Sequence, residues 1–294
     1  MSQSLTQVSD KPRPADAPPA RDLYAGRRLA EGYPSLDRLS LKNFTATLDA
    51  QPDATPRLER LLGRLDRLIP LDDARNVIVL GCGPRPQTVK HLRERRFKVI
   101  GVEPVPLFVE SARAYLGDDA SVMEGAAERI PVADASQHIV FCDSVLEHVV
   151  SPTRSLDEMY RVLAPGGIAF ITTTNRLRFS ITGDNGEFLF RFFNWLPPLV
   201  KESLVHHHLH YDPRLATYTQ LPAVHWFTYS ELCRLGRQSG FAQFYSLLDL
   251  IDGNDPAVSG SRLKRWVAER LKFNPWLRTL ALTQRGDTII MLKR

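Results

Sequence analysis

A run of four apolar, mostly β-branched residues, Val77-Ile-Val-Leu80, ends directly on the turn Gly81-Cys-Gly-Pro84. A uniformly apolar strand suits burial on both faces, as in a parallel sheet covered by helices. The sequence beyond it keeps that rhythm. A helical stretch to about Arg96 leads into a second strand, Lys98-Val-Ile-Gly-Val102, and Pro106 opens a helix that runs to Tyr115, proline being well suited to a first helical turn. Ser121-Val-Met123 is a weaker third strand and His138-Ile-Val-Phe-Cys142 a fourth. A helix over Thr153 to Leu163 and the breaker Ala164-Pro-Gly-Gly167 precede a fifth strand, Ile168-Ala-Phe-Ile-Thr172. Strands alternating with helices at this spacing predict a Rossmann-like, doubly wound, mostly parallel α/β sheet.

The flanks depart from this pattern. Residues 1–22 are polar and Pro-rich and predict a disordered tail. Residues 23–71 predict an N-terminal helical cap, because Leu58, Leu61, Leu62, Leu65 and Leu68 recur at three- and four-residue spacing. Residues 72–294 form the main domain, interrupted after the fifth strand by a large insertion, 176–228, expected to supply an acceptor pocket or lid. Regular texture resumes with a helix from Ser230 to Ser239, a strand from Phe241 to Leu248 and an antiparallel last strand, Asp287 to Leu292. Between those strands, a helix carries Leu263, Trp266, Val267 and Leu271.

Composition narrows the partners. The 38 Lys+Arg against 33 Asp+Glu give only +5, with no dense basic tract interleaved with aromatics, so no nucleic-acid partner is expected. Cys82, Cys142 and Cys233 are too few and too scattered for a disulfide framework or zinc cluster. No signal-like segment and no apolar run approaching the roughly 20 residues of a membrane span are present, which predicts a soluble, cytoplasmic protein. Adjacent histidines in His206-His-His-Leu-His210 cannot all converge on one ion, so no metal is expected and the cluster is assigned to pocket lining or surface. The aromatic run Phe188 to Val200 allows three readings: core, a greasy acceptor groove or a surface that touches lipid. Arg191, Lys201 and the basic, Trp-bearing helix Arg262 to Lys272 allow peripheral membrane contact, and a buried helix covering one face of the insertion is the expectation. The sequence does not set the oligomeric state.

Two features at the strand ends carry chemistry. A glycine turn after a buried strand lets the backbone approach a ligand at the carboxyl edge of the sheet, although glycines there also serve simply to turn. Glu103 ends the second strand, 22 positions after Gly81. A carboxylate there can accept hydrogen bonds from both hydroxyls of a ribose, the alternative being a solvated loop acid. A dinucleotide site needs a third glycine for the pyrophosphate, and here Pro84, Arg85 and Pro86 follow instead. An adenosine-bearing cofactor without phosphates is favoured, and an NAD-linked oxidoreductase is the rival.

Further motifs stand in order: Gly125-Ala-Ala-Glu-Arg-Ile-Pro131, Ile139-Val-Phe-Cys-Asp-Ser-Val-Leu-Glu-His148, Tyr160-Arg-Val-Leu-Ala-Pro-Gly-Gly-Ile168 and Thr174-Asn175. Together they resemble the class I S-adenosylmethionine-dependent methyltransferases, in the broad group that includes ubiquinone and menaquinone biosynthesis enzymes and many natural-product and sugar methyltransferases. The resemblance covers about residues 75–175, and 226–294 by architecture only. It implies S-adenosyl-L-methionine as cofactor, with Gly81, Cys82 and Gly83 beneath the methionine part, Glu103 on the ribose and Pro104 near the adenine. Ala126 and Ala127 would lie along the adenine edge, and Asp143 and Ser144 would border the transferring methyl. Leu146-Glu-His148 would floor the space between cofactor and acceptor.

Three positions depart from the family pattern: Val79 for an acid, Arg85 for a glycine and Ala126 for an aspartate. They leave a catalytically inactive relative as an alternative, unless Arg85 compensates by facing the methionine carboxylate. The acceptor is expected to be a small molecule or a glycan- or lipid-linked group, methylated on a hydroxyl oxygen. His148 is then the candidate general base, against a structural role at the start of a helix.

Overall fold

The computed structural model describes residues 41, 45–46, 48–50, 53–71, 75–178, 193–207, 223–282 and 287–294. The expected disordered tail, most of the N-terminal cap and the histidines at 208 and 210 lie outside them. Helix α1 (Thr55–Leu65) precedes strand β1 (Asn76–Leu80), helix α2 (Gln87–Glu94), β2 (Lys98–Glu103), α3 (Pro106–Leu116) and β3 (Val122–Glu124). Then come β4 (Gln137–Asp143), α4 (Pro152–Val162), β5 (Leu163–Thr173), α5 (Pro198–His207) and α6 (Tyr229–Gln238). The chain ends with β6 (Gln243–Ser246), α7 (Arg262–Phe273), α8 (Pro275–Leu282) and β7 (Asp287–Leu292).

The strands form one sheet in the order β3-β2-β1-β4-β5-β7-β6. β1 through β5 pair in parallel, and β7 runs antiparallel to both β5 and β6. This is the Rossmann-like architecture the sequence predicted, with its antiparallel last strand. Residues Val77 to Leu80 are all buried because β1 is central and covered on both faces. One face packs Leu62, Leu65, Val89 and Leu92 of α1 and α2 onto Val79, Phe141 and Phe170. The other packs Leu156, Met159 and Leu232 of α4 and α6 onto Ile78, Val140 and Ile171.

Local signals set the helix limits. Pro106 opens α3, and Gly117 ends it in the left-handed conformation at φ +67°. Ser151 caps α4, and Thr228 with Glu231 forms a complete capping box on α6.

Two expected boundaries move. Ala164-Pro-Gly-Gly167 does not break the chain before a strand, because β5 already begins at Leu163. Pairing slips from Gln137 opposite Leu163 to Ile139 opposite Ile168, so the extra residues bulge outward within the strand. Gly166 holds the bulge at φ +77° and donates its N–H to the Lys293 carbonyl at 2.8 Å. β6 is shorter than expected because the Asp249 carboxylate accepts from both the N–H and the hydroxyl of Ser246, at 2.7 and 2.8 Å. That Asx-type contact turns the chain where a longer strand was expected.

The expectation of burial fails for α7. Leu263, Trp266 and Val267 are exposed, and Ala268 is the helix's buried residue. In the aromatic run ending at Val200, Phe193 is buried whereas Trp195, Leu199 and Val200 are exposed. Residues 188–192 of that run lie outside the described residues.

Candidate functional site

The strand order reverses between β1 and β4, and open α/β sheets bind ligands outside the carboxyl ends of such strands. The glycine turn stands there. Gly81 sits at φ +59°, and its missing Cβ would lie 2.5 Å from Cγ2 of Val145. Both the backbone conformation and the packing of the 144–149 turn demand glycine. Its N–H donates to the Val102 carbonyl at 2.8 Å, tying the turn to the end of β2.

Glu103 is buried at that strand end, 4% exposed. Its carboxylate accepts from the Gly83 N–H at 3.0 Å and from the Val105 N–H at 3.1 Å. Burial pushes its pKa up, while the two backbone donors pull it back. The Cys82 thiol beside it is raised to about 12, first by burial and then by the Glu103 charge, so it is an inert small hydrophobe at neutral pH. A buried carboxylate beside a glycine turn offers acceptors to hydroxyls and repels phosphates. These acceptors fit the ribose hydroxyls of an adenosine cofactor and disfavour a pyrophosphate.

Of the remaining residues expected at the cofactor, Pro104 is exposed and Ala126 half-buried, whereas Ala127 packs into the core beside Val102 and Ile130. The loop holding the two alanines is clamped by Arg161, which donates to the carbonyls of Ile130 and Val132 at 2.9 and 3.0 Å and pairs with Glu158 and Asp134. Arg85 is engaged away from the expected carboxylate contact. It pairs with Asp49 at 3.0 Å and lies 5.3 Å over the Tyr115 ring, so it draws the N-terminal segment toward the glycine turn.

The second half of the site lies at the ends of β4 and β5. Ser144 adopts φ +56°, costly for a side chain larger than glycine, and its N–H donates to both the carbonyl and the hydroxyl of Thr172, at 3.1 and 3.2 Å. The Thr172 hydroxyl also donates to Asp143. This strained corner swings the following turn over the sheet edge. Glu147, 2% exposed, accepts there from the Thr173 hydroxyl at 2.9 Å.

A cleft of about 830 Å³ opens beside these groups. Asp143, Ser144, Glu147 and Thr172 to Thr174 form its sheet-side wall, Arg57, Arg60 and Arg64 come from α1, and Leu247, Pro256 and Ala257 from the chain between β6 and α7. His148 is absent from its lining, and its N–H donates to Val145 at 2.9 Å within the turn. The neighbouring Glu147 does line the cleft, as does the more exposed Asp143. In the motif Glu147 and His148 occupied the same turn, and only the register of that turn decides which one faces inward.

The return of the insertion locks this turn from outside. Val224 and His225 donate their N–H groups to the Glu147 carbonyl at 3.0 and 3.3 Å, and the His225 ring meets the Val149 carbonyl at 2.8 Å. Burial lowers the His225 pKa, which favours a neutral ring donating that hydrogen bond. Among the described residues no cluster of three metal-ligating side chains occurs, and no helix is long and apolar enough to cross a membrane.

Comparison with known proteins agrees with the geometry. Residues 78–171 match the methyltransferase domain family. An uncharacterized methyltransferase of Mycobacterium tuberculosis is 34% identical over 128 residues, 43% of this chain and 51% of that protein. A trans-aconitate 2-methyltransferase of Methylobacterium radiotolerans is 32% identical over 112 residues, 37% of this chain and 42% of that protein. The chain spans about half the length of the curated relatives it matches first. An S-adenosylmethionine-dependent methyltransferase from Mesorhizobium loti aligns with a TM-score of 0.47 at 14% identity, over 80% of this chain and 98% of that structure. The unit over residues 78–171 is a methyltransferase domain by that family match.

Proposed function

We propose that this protein uses S-adenosyl-L-methionine to methylate a hydroxyl oxygen of a small or carrier-linked acceptor bound in the cleft at the ends of β4 and β5. The observation that carries this reading is the adjacency of two differently built sites on one sheet edge. The glycine turn with Glu103 suits the adenosine cofactor, and Asp143 and Ser144 border the neighbouring cleft. When bound, the cofactor supplies a methyl group already activated on a sulfonium, so the protein's work is alignment and exclusion of water.

In this reading Gly81 and Gly83 pass beneath the cofactor's amino-acid end and Glu103 holds its ribose. Glu147, rather than His148, receives the hydroxyl proton as the acceptor oxygen attacks, with Thr173 orienting the carboxylate. Arg57 and Arg60, which form no ion pair among the described residues, line the α1 side of the cleft and favour an acceptor bearing a negative group. The similarity to a trans-aconitate 2-methyltransferase, whose named acceptor is itself an anion, points the same way.

Calorimetry with S-adenosylmethionine, S-adenosylhomocysteine and NAD tests the cofactor assignment. Binding of the first two and not the third is expected. Binding of NAD alone would overturn it in favour of an oxidoreductase, and binding of the two adenosyl ligands without turnover of any hydroxylated anion would favour an inactive relative.

A further inference from the structure

The hairpin of α7 and α8 leaves an unusual surface in water. Leu263, Trp266 and Val267 recur at the spacing of a single helix face. Phe273, Trp276 and Leu277 extend the apolar surface across the junction, with Phe273 and Trp276 each 84% exposed. Soluble surfaces rarely concentrate large apolar side chains in this way without something to cover them.

The hairpin is nevertheless well anchored. Ser261 caps α7 through the Lys264 N–H at 3.3 Å, and Asn274 accepts from Trp276 and Leu277 at 3.0 and 3.1 Å. Arg278 grips Asp249 through two hydrogen bonds, and the Lys272 ammonium donates to the Ile251 carbonyl. The exposed side chains therefore belong to a rigid platform held from its inner side.

Charge decides the occupant. α7 carries Arg262, Lys264, Arg265, Arg270 and Lys272 against the single acid Glu269. The Arg270 guanidinium lies 5.4 Å over the Trp266 ring, which places a cation at the edge of the apolar face. Aromatic and aliphatic side chains on one face, with Lys and Arg around them, match an interfacial helix lying in the headgroup region of a bilayer. A cationic rim selects anionic headgroups.

We propose that α7 and α8 dock this protein on anionic phospholipid membranes, with Trp266, Phe273 and Trp276 entering the interface. The chain between β6 and α7 also lines the cleft through Leu247, Pro256 and Ala257, so the docking platform and this wall of the cleft belong to one segment between β6 and β7.

Flotation of the full chain with vesicles of phosphatidylcholine alone, and of phosphatidylcholine with phosphatidylglycerol, tests this. Binding to the anionic vesicles, weakened by salt and accompanied by a blue shift of tryptophan emission, is expected. Joint Trp266→Ser and Trp276→Ser substitution should reduce vesicle affinity about tenfold or more. Joint Lys264→Glu and Arg265→Glu substitution should reduce it by about fivefold or more for each cation lost. Both double variants alter exposed side chains, so their unfolding curves and S-adenosylmethionine affinity should match the parent, which separates this test from that of the methyltransferase reading. The proposal is overturned by absence of vesicle binding, by variants that both bind as tightly as the parent, or by a lipid-independent dimer that the tryptophan substitutions dissolve.

Discussion

The two halves of the site are built in opposite ways. At the ends of β1 and β2 the groups belong to one compact unit: the Gly81 N–H donates to the Val102 carbonyl, and the Gly83 and Val105 N–H groups donate to the Glu103 carboxylate, at 2.8 to 3.1 Å. At the ends of β4 and β5 the cleft is assembled from α1, two strand ends, the chain after β6 and Thr288 of β7. The first half is a geometry of turns, which tolerates few substitutions. The second is a wall of side chains on unrelated segments, which can change acceptor without disturbing the fold. Under the proposed methyl transfer, a fixed donor and an acceptor of the protein's own suit this division of labour.

Glu147→Gln tests the side-chain half with the largest expected effect. Removing a base that acts in the transition state should lower the turnover rate by about 10²–10⁴-fold, with cofactor affinity kept. His148→Gln should retain most of the rate, because that side chain is outside the cleft lining. Equal losses in the two variants would return the role of base to His148.

Gly81→Ala tests the turn half. The added Cβ meets Val145 in a conformation that already disfavours a side chain, and chemical denaturation should show a loss of about 2–4 kcal/mol. Gly83→Ala is the control: φ is +67°, but no atom lies within 4 Å of the new Cβ, so about 1–2 kcal/mol is expected from backbone strain alone. Similar losses at both positions would mean that the 144–149 turn yields to the methyl group.

Glu103→Gln separates binding from stability. Weakening two hydrogen bonds to a charged acceptor should cost about 10–100-fold in S-adenosylmethionine affinity, read by calorimetry. The stability change has the opposite sign. Because burial raises this carboxyl's folded pKa, its contribution is favourable below the unfolded value of about 4.3 and is lost as pH rises through the raised folded value. Near neutral pH the amide should therefore leave the fold as stable as the parent or more so. Loss of stability together with affinity would make Glu103 a structural acid.

How much of this was legible in the sequence follows the same division. The parallel sheet could be read because Val77 to Leu80 and Ile139 to Cys142 are uniformly apolar, and Asp287 to Leu292 was delimited correctly. The Gly81 turn and Glu103 were legible because both are fixed by strand ends. The inward-facing residue of Leu146-Glu-His148 was not, since it depends on the Ser144 corner and on two N–H groups donated from Val224 and His225. The bulge at Gly166 and the early end of β6 also escaped, for each is set by a long-range or side-chain contact rather than by periodicity. The exposed face of α7 escaped for a related reason: spacing reveals that a helix is amphipathic, but not what lies opposite its apolar side.

Lys201, on the insertion's α5, gives the smallest effect and the one with a pH signature. Its side chain is buried, with the ammonium 4.5 Å from the ring centroid of Trp226, which clusters with Phe193 and Val205. Burial, aided by the nearby Arg176 charge, lowers its pKa to about 8. Below that value both folded and unfolded chains carry the proton, and the fold bears the whole cost of the buried charge. As pH rises from about 8 toward the unfolded value of about 10.4, the native state releases its proton while the unfolded state keeps it, so stability should rise. Lys201→Met removes that dependence and should stabilise the protein by about 1–2 kcal/mol near neutral pH. The check is denaturant unfolding at several pH values across this window. A flat parent curve, or a methionine variant less stable at neutral pH, would mean that the cation–π contact with Trp226 already offsets the burial. The insertion would then be held by this lysine rather than strained by it.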